Sequence, residues 1–300
     1  MTQVMLVVNP RAGSVSPRAR DVIARALSAD FKVEVAETTA RAHATELSRD
    51  AVDRGFDAVI AMGGDGTINE VMQSMVGTDI ALGILPGGST NVAARSLGIP
   101  RDIIDATAYL AERIRSGRRR RVNTARFEDR YFLFSAGLGL DGEVVKRVEQ
   151  HGKGKHFEWA FVRNAVAAAA GPYRKMTPAV TMSVDGGEPI KVLLAVTCNG
   201  RPFTYLKRIP VEVCPEAHLD GALDVFALRD VSLVTIPRIA WSVLVSRSHT
   251  RWKASSYHHD VSSISLTCEA ALPAQVDGDY IGEFTSAHIS LVPDSLDLIV

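Results

Sequence analysis

The chain has 300 residues, 46% of them hydrophobic, and its 34 Lys and Arg balance 34 Asp and Glu. That length exceeds what one core usually takes and predicts two domains or one large one, while zero formal charge argues against a nucleic-acid protein held by net charge. No apolar run approaches the roughly 18 residues of a membrane span, MLVVN follows the start without a cleavable leader, and Cys198, Cys214 and Cys268 are isolated, so a cytosolic protein without disulfides or a C-x-x-C metal site is expected.

The first third alternates strand and helix. QVMLVVN is an apolar run ended by Pro10-Arg11-Ala12-Gly13-Ser14, and a helix follows from about Pro17 with Val22, Ile23, Ala26 and Leu27 on one face. FKVEVAE alternates like a half-buried strand, with a helix over 41–54 and a stop at Gly55. Residues 57–62 read as a strand buried on both faces. After Gly63-Gly64-Asp65-Gly66-Thr67, the residues Ile68, Val71, Met72 and Met75 fall at i, i+3, i+4 and i+7, which predicts an amphipathic helix. Residues 80–85 form another buried strand, ended by Pro86-Gly87-Gly88-Ser89-Thr90-Asn91 and a helix through Leu97; 103–115 is a further helix. Such alternation means a parallel, doubly wound sheet whose ligands bind beyond the carboxyl ends of the strands.

Three turns at that edge, NPRAGS, GGDGT and PGGSTN, share one character: Gly and small hydroxyl residues leading into a helix. Glycine permits positive φ and removes side chains that would keep a ligand away, and amides at a helix start hold phosphate, so three such turns predict a polyphosphate site. Thr67 and Glu70 have the T-x-x-E spacing of a capping box, so helix capping stands beside ligand contact for both. Asp65 is different, because a carboxylate in a phosphate-sized turn is repelled unless it binds a metal, accepts a proton or bonds a hydroxyl. No G-x-G-x-x-G occurs, and HGKGKH lacks the leading glycine and the Ser/Thr of a P-loop.

After Ser116 the pattern changes. SGRRRRV reads as a solvated linker, with anionic lipid headgroups the second reading. Strands then dominate: RYFLFSAGLGL, MTPAVTMSVDGGEPIKVLLAVTCNG with Asp185-Gly186-Gly187 as its hairpin turn, RIPVEVCP, GALDVFAL, VSSISLTCE, PAQVDGDYIGEF and HISLVP, interrupted by the helical HFEWAFVRNAVAAAA and SLVTIPRIAWSVLVSRS. Residues 1–122 and 123–290 are the expected domains. On spacing alone Asp277 in QVDGDYIGE, and Asp220 with Asp224 in HLDGALDV, read as Asp-Gly hairpin turns. His258-His259-Asp260 reads as surface, since adjacent strand residues face opposite ways, and Asp141 as the cap of a helix over 143–149.

Taken together, NPRAG, GGDGTINEV, LGILPGGSTNVAARSLGIP, LDGALDV and VDGDYIGE, in this order across essentially the whole chain, resemble the bacterial diacylglycerol kinase family of lipid kinases; GGDGT alone is shared with NAD kinases and 6-phosphofructokinases. The resemblance implies an α/β nucleotide-binding domain with a doubly wound, largely parallel sheet, then a mostly antiparallel β-sandwich domain, with residues 290–300 returning to the first. It implies ATP as donor, Mg²⁺ as its partner, and a lipid hydroxyl at the membrane surface as acceptor, diacylglycerol first. It further implies a place in phospholipid biosynthesis for a cytoplasmic protein with peripheral membrane contact. Oligomeric state stays open, a homodimer included.

Residue by residue, the resemblance implies that Asn9, Pro10 and Gly13 shape the first phosphate turn, and that Thr38, Gly64, Asp65, Gly66, Thr67, Asn69, Glu70 and Ser89 contact the nucleotide. Asp277 matches the general base that takes the lipid hydroxyl proton, with Asp65 the other candidate base. Asp220 matches the aspartate of a structural Mg²⁺ whose other ligands are mainly backbone carbonyls. The chain departs from the pattern at Asp279, third in the D-G-E motif, and at Val92 and Asn123, where relatives with an acidic network carry aspartates. Phe157, Trp159, Trp241 and the helix around Ile239, Val243 and Leu244 are candidates for an acyl groove or bilayer contact, with core packing the alternative. An NAD kinase-like small-molecule kinase and a non-catalytic nucleotide-binding regulator are the competing functions.

Overall fold

Five consecutive buried residues, 4–8, make β1 (Gln3–Val8) the centre of the first of two units in the computed structural model, Met1–Thr124 with Pro293–Val300, and Ala125–Val292. The structure describes residues 1–150, 179–230, 238 and 241–300. In the first unit β1 pairs in parallel with β2 (Lys32–Glu37) and β3 (Ala58–Gly63), and β3 pairs in parallel with β4 (Ala81–Pro86). Between and after these strands run α1 (Pro17–Ser28), α2 (His43–Asp53), α3 (Asp65–Met72), α4 (Val92–Ser96) and α5 (Ile103–Ser116). The strand order reverses between β1 and β3, the place where doubly wound sheets bind ligands.

β3 and β4 are buried throughout, as continuous apolar runs covered on both faces should be. β2 is the sheet's outer strand, and Val35 on it is 41% exposed. α1 is narrower than its pattern suggested: Ile23 and Leu27, four apart, are buried, while Val22 and Ala26 face solvent, since a single stripe suffices where a helix meets an outer part of a sheet. Asp297 and Leu298 pair in parallel with Ala81 and Leu82, extending this sheet beyond β4.

The arginine-rich stretch is solvated, Arg118 to Arg121 being exposed, but it is tied down rather than a loose linker. α5 ends on left-handed Gly117, and Arg121 then donates to Asp294 O at 2.7 Å and to Thr78 O at 3.3 Å, with Asp297 at 3.2 Å. Arg119 donates to Asp79 O, and Asn123 Oδ1 accepts Asp294 N at 2.8 Å. These residues fasten the returning segment 293–300 to the first unit.

β5 (Arg120–Phe127) leads into the second unit, followed by β6 (Arg130–Phe132), β7 (Ser135–Gly139) and α6 (Leu140–Gln150). Then come β8 (Val180–Val184), β9 (Ile190–Val192), β10 (Leu194–Cys198), the ribbon β11 (Thr204–Leu206) with β12 (Ile209–Val211), β13 (Leu223–Leu228), β14 (Ser255–Val261), β15 (Ser263–Val276) and β16 (Asp279–Leu298). Its pairings are antiparallel, in the order β14-β13-β10-β7-β15-β16. β15 pairs with β8 along its first half and with β7 along its second, so one strand serves two groups around a core that includes Phe127, Phe132, Leu138, Met182, Val225 and Ile264. Asp185 and Gly186, both at positive φ, make the hairpin between β8 and β9.

The run RYFLFSAGLGL is broken at Leu133 and Phe134 rather than forming one strand, and α6 begins at Leu140. Of the two helical segments foreseen in this half, 156–170 lies outside the described residues, as do HGKGKH and residues 232–237, 239 and 240 of the second; that second segment carries a π-helical turn, Ser242–Ser246.

Candidate active site

The three turns of the first unit stand side by side at the carboxyl ends of β1, β3 and β4 and are joined by main-chain bonds. Asn9 N donates to Met62 O, Gly87 N to Gly63 O at 2.7 Å, and Ser14 N to Gly87 O at 3.0 Å. A Cβ on Gly88 would lie 2.8 Å from Gly64 Cα, and one on Gly87 would lie 3.1 Å from Gly63 Cα. Gly87 and Gly88 therefore lack side chains because the backbone of Gly63 and Gly64 touches them, whereas a Cβ on Gly63 would meet the Thr67 side chain at 2.6 Å and one on Gly64 would make ordinary contact at 3.4 Å. None has the positive φ that the sequence suggested, Gly64 standing at −91°. Gly13 makes no such contact, since a Cβ added there would meet nothing within 4 Å.

The predicted capping box does not form. α3 begins at Asp65 with Gly64 as an N-cap lacking any side-chain bond, so Thr67 is already inside the helix. Thr67 is buried, and its Oγ1 accepts Asn9 Nδ2 at 2.9 Å, tying the first turn to the second. Glu70 turns to another helix and accepts Ala42 N at 3.0 Å and Ala44 N at 3.3 Å at the start of α2. Asp65 Oδ1 accepts Ala93 N at 3.0 Å, closing the start of α4. Asn69 and Thr38 are buried, Thr38 N donating to Val8 O, whereas Pro10, Gly13 and Ser89 are exposed. Thr67 N and Ile68 N donate to Gly64 O at 2.9 and 3.1 Å.

In the second unit Asp277 and Gly278, at φ 47° and 81°, form the tight turn between β15 and β16. The hairpin reading and the special carboxylate are both present in one residue. Asp277 Oδ1 accepts Phe134 N at 2.8 Å and Ser135 N at 3.0 Å, and Oδ2 accepts Leu133 N at 2.9 Å. Asp277 N donates to Ser135 O, and buried Asn199 secures the opposite edge, with Nδ2 on Leu133 O at 2.9 Å and N on Phe134 O at 2.8 Å. Three amide donors thus fix both oxygens of the Asp277 carboxylate. This is also why the apolar run breaks at 133–134: its amides serve a side chain in place of a neighbouring strand.

Asp141 is no helix cap. It lies inside α6, buried, and Oδ2 accepts Gln275 Nε2 at 2.7 Å; burial pushes its carboxyl up to about 6 despite that bond. Asn199 and Gln275 were not recognised in the sequence. A lone amide ending or interrupting an apolar strand, as in VTCN and PAQV, is the signal that points to them.

Asp220 is exposed, and Gly221 N donates to His218 O in its turn. Asp224 is 0% exposed: Oδ2 accepts the Tyr257 hydroxyl and Oδ1 lies 2.7 Å from His259 Nδ1. His259 is thus bound to a buried carboxylate rather than merely superficial, and Asp224 raises its pKa. Among the described residues no three His, Cys, Asp or Glu side chains gather to hold a metal. With both Asp224 oxygens taken, Asp220 supplies one carboxylate, and this loop does not fit a resident Mg²⁺ held by side chains. Asn123, already bound to Asp294, adds none. Trp241 is 65% exposed; Phe157, Trp159, Ile239 and the Leu244 side chain lie outside the described residues.

Residues 3–127 match the diacylglycerol kinase catalytic domain. The chain is 27% identical over 305 residues to a diacylglycerol kinase of Bacillus subtilis, covering 96% of each. It is 27% identical over 266 residues to a diacylglycerol kinase of Mycobacterium tuberculosis, covering 85% of this chain and 81% of that one. Its fold is similar to the crystal structure of a putative diacylglycerol kinase from Bacillus anthracis, with a TM-score of 0.76 at 24% identity over 99% of this chain and 96% of that one. An NAD kinase from Archaeoglobus fulgidus in complex with ATP shares the fold more distantly, with a TM-score of 0.55 at 13% identity over 100% and 94% of the two chains.

Proposed function

We propose that this chain, whose residues 3–127 match the diacylglycerol kinase catalytic domain, is a lipid kinase that moves the γ-phosphate of ATP onto the free hydroxyl of diacylglycerol, yielding phosphatidic acid. The observation that carries this reading is the row of three glycine turns at the strand ends within the matched residues 3–127.

Phosphoryl transfer asks a protein for positioning and charge neutralisation rather than covalent chemistry. In this proposal amides at the start of α3, with Gly64 and Gly66, hold the nucleotide phosphates, Gly13 and Ser89 form the rim, and Mg²⁺ enters with ATP as part of the substrate. Thr67, Asn69, Glu70, Thr38 and Asn9 build the frame. Asp65 closes α4 against this edge, which suits a structural role better than that of base. Asp277 takes the acceptor hydroxyl's proton. Three backbone amides hold its carboxylate in one orientation, and because a loose transition state makes small demands on basicity, orienting the hydroxyl is its larger task. Exposed Trp241 and Val245 are the described apolar surface from which this protein would meet a bilayer.

Purified protein incubated with labelled ATP, Mg²⁺ and a panel of diacylglycerol, other lipid alcohols and NAD tests the reading. Label in phosphatidic acid is the expected result. Label in NAD alone would replace the lipid acceptor, and ATP binding without turnover would leave a regulator. Asp277→Asn should retain ATP binding and lose turnover; full turnover in that variant would remove Asp277 from the chemistry.

A further inference from the structure

α6 meets the hairpin that carries Asp277 at three points along its length. At its start, Asp141 Oδ2 accepts Gln275 Nε2 at 2.7 Å, ahead of the turn. Further on, Lys146 Nζ lies 2.6 Å from Glu283 Oε1, and Glu149 Oε1 accepts Tyr280 N at 3.2 Å, both after the turn. Gln275 Oε1 accepts Gly278 N at 2.8 Å, inside the turn itself. The two ends of this amide thus meet opposite demands: a carboxylate requires the NH₂ and a backbone amide requires the oxygen, so only one orientation satisfies both. Gln275 is 0% exposed and Asp141 9%, so a wrong orientation has no water to compensate it. Two glycines make the approach feasible. A Cβ on Gly137 would fall 1.9 Å from Asp141 Oδ2, and one on Gly142 would fall 2.1 Å from Pro273 O.

We infer that Asp141 and Gln275 are positioning residues for Asp277: α6 acts through the directed Gln275 amide to fix the turn from which Asp277 addresses the acceptor hydroxyl. The inference rests on the kinase reading above and extends it to a helix that touches no reacting atom. Its core is the polarity of one bond, and polarity can be reversed. Gln275→Glu sets two carboxylates face to face; where both are ionised they repel, and Asp141 loses its donor. Asp141→Asn with Gln275→Glu restores a complete chain, the new carboxylate accepting from both Gly278 N and the side-chain amide introduced at position 141.

The test compares wild type, Gln275→Glu and the double variant by kcat, KM for ATP and hydrogen exchange at residues 133–135 and 278, with thermal melts to establish that each is folded. For Gln275→Glu, kcat should fall roughly tenfold to a hundredfold with KM for ATP unchanged, and exchange should quicken at those amides. The double variant should regain kcat to within about threefold of wild type and slow exchange again. Undiminished kcat in folded Gln275→Glu, or a double variant no better than the single one, overturns the inference. If wild type phosphorylates no lipid, the kinase reading fails instead, and exchange decides: quickening reversed by the double variant supports the positioning role, and no change overturns it. A Gln275→Glu protein that does not fold leaves the double variant to decide by the same kcat and exchange criteria.

Discussion

Gly88→Ala isolates the reason for the glycines in the three turns. The added Cβ would stand 2.8 Å from Gly64 Cα and 3.0 Å from Asn91 Oδ1, where ordinary contact begins at 3.4 Å. Since Gly64 Cα is backbone, one turn must withdraw by about 0.6 Å, the difference between 3.4 and 2.8 Å. Overpacking of this kind costs roughly 1–3 kcal/mol, which lowers a melting temperature by roughly 2–10 °C for a unit of this size. The same withdrawal displaces the amides proposed to hold phosphate, so ATP affinity should weaken about tenfold or more, or about 1.4 kcal/mol. Gly13→Ala is the control: nothing lies within 4 Å of its Cβ and its φ is not left-handed, so its stability should change by less than about 0.5 kcal/mol. Scanning calorimetry and isothermal titration with ATP measure both. A Gly88→Ala protein that melts and binds ATP like wild type would refute the packing argument, as would a Gly13→Ala protein equally destabilised.

Other outcomes follow from single contacts. Glu70→Ala removes the acceptor for Ala42 N and Ala44 N and should cost about 1 kcal/mol, with faster hydrogen exchange confined to the start of α2; unchanged exchange there would contradict the assigned role. His259 has a pKa raised above its ordinary 6.5 by Asp224, so the stability this pair contributes is complete below about pH 6.5 and is lost as pH climbs through the higher folded value. Urea midpoints of wild type and His259→Gln should converge from about pH 6 to pH 9, and parallel curves would show the pair to be inert. Asp141 runs the other way: its folded pKa of about 6 against an ordinary 3.8 means that ionisation costs stability as pH rises across that interval. Asp141→Asn should therefore be more stable than wild type at neutral pH by on the order of 2–3 kcal/mol, and an equal or lower urea midpoint there would count against the buried anion.

What the sequence made legible depended on how locally each feature is encoded. β1, β3 and β4 are continuous apolar runs, and the Asp-Gly turns sit between alternating strands; both signals are complete within a few residues. The glycine turns were legible as strand-ending turns that lead into helices, but the touching of Gly88 and Gly64 joins two strand ends and has no local trace. Leu133 and Phe134 look like strand residues, and what stops the strand is a carboxylate at position 277. Arg121 looks loose until Asp294 and Asp297 return to it. Asp141 and Gln275 each read as ordinary alone, one as a cap and one as a polar interruption, because their meaning lies in the bond between them.

The returning segment 293–300 bears on the order in which this protein can be made. Leu296, Leu298 and Ile299 are almost wholly buried in the unit that begins at Met1, and Asp297 and Leu298 cover β4. A ribosome therefore releases residues 1–124 long before the strand that completes their sheet, and a fragment ending at Thr124 would leave β4 as an open apolar edge, a surface prone to pair with other chains. Residues 293–300 finish the first unit, so its closure must wait for the whole of residues 125–292 to be synthesised.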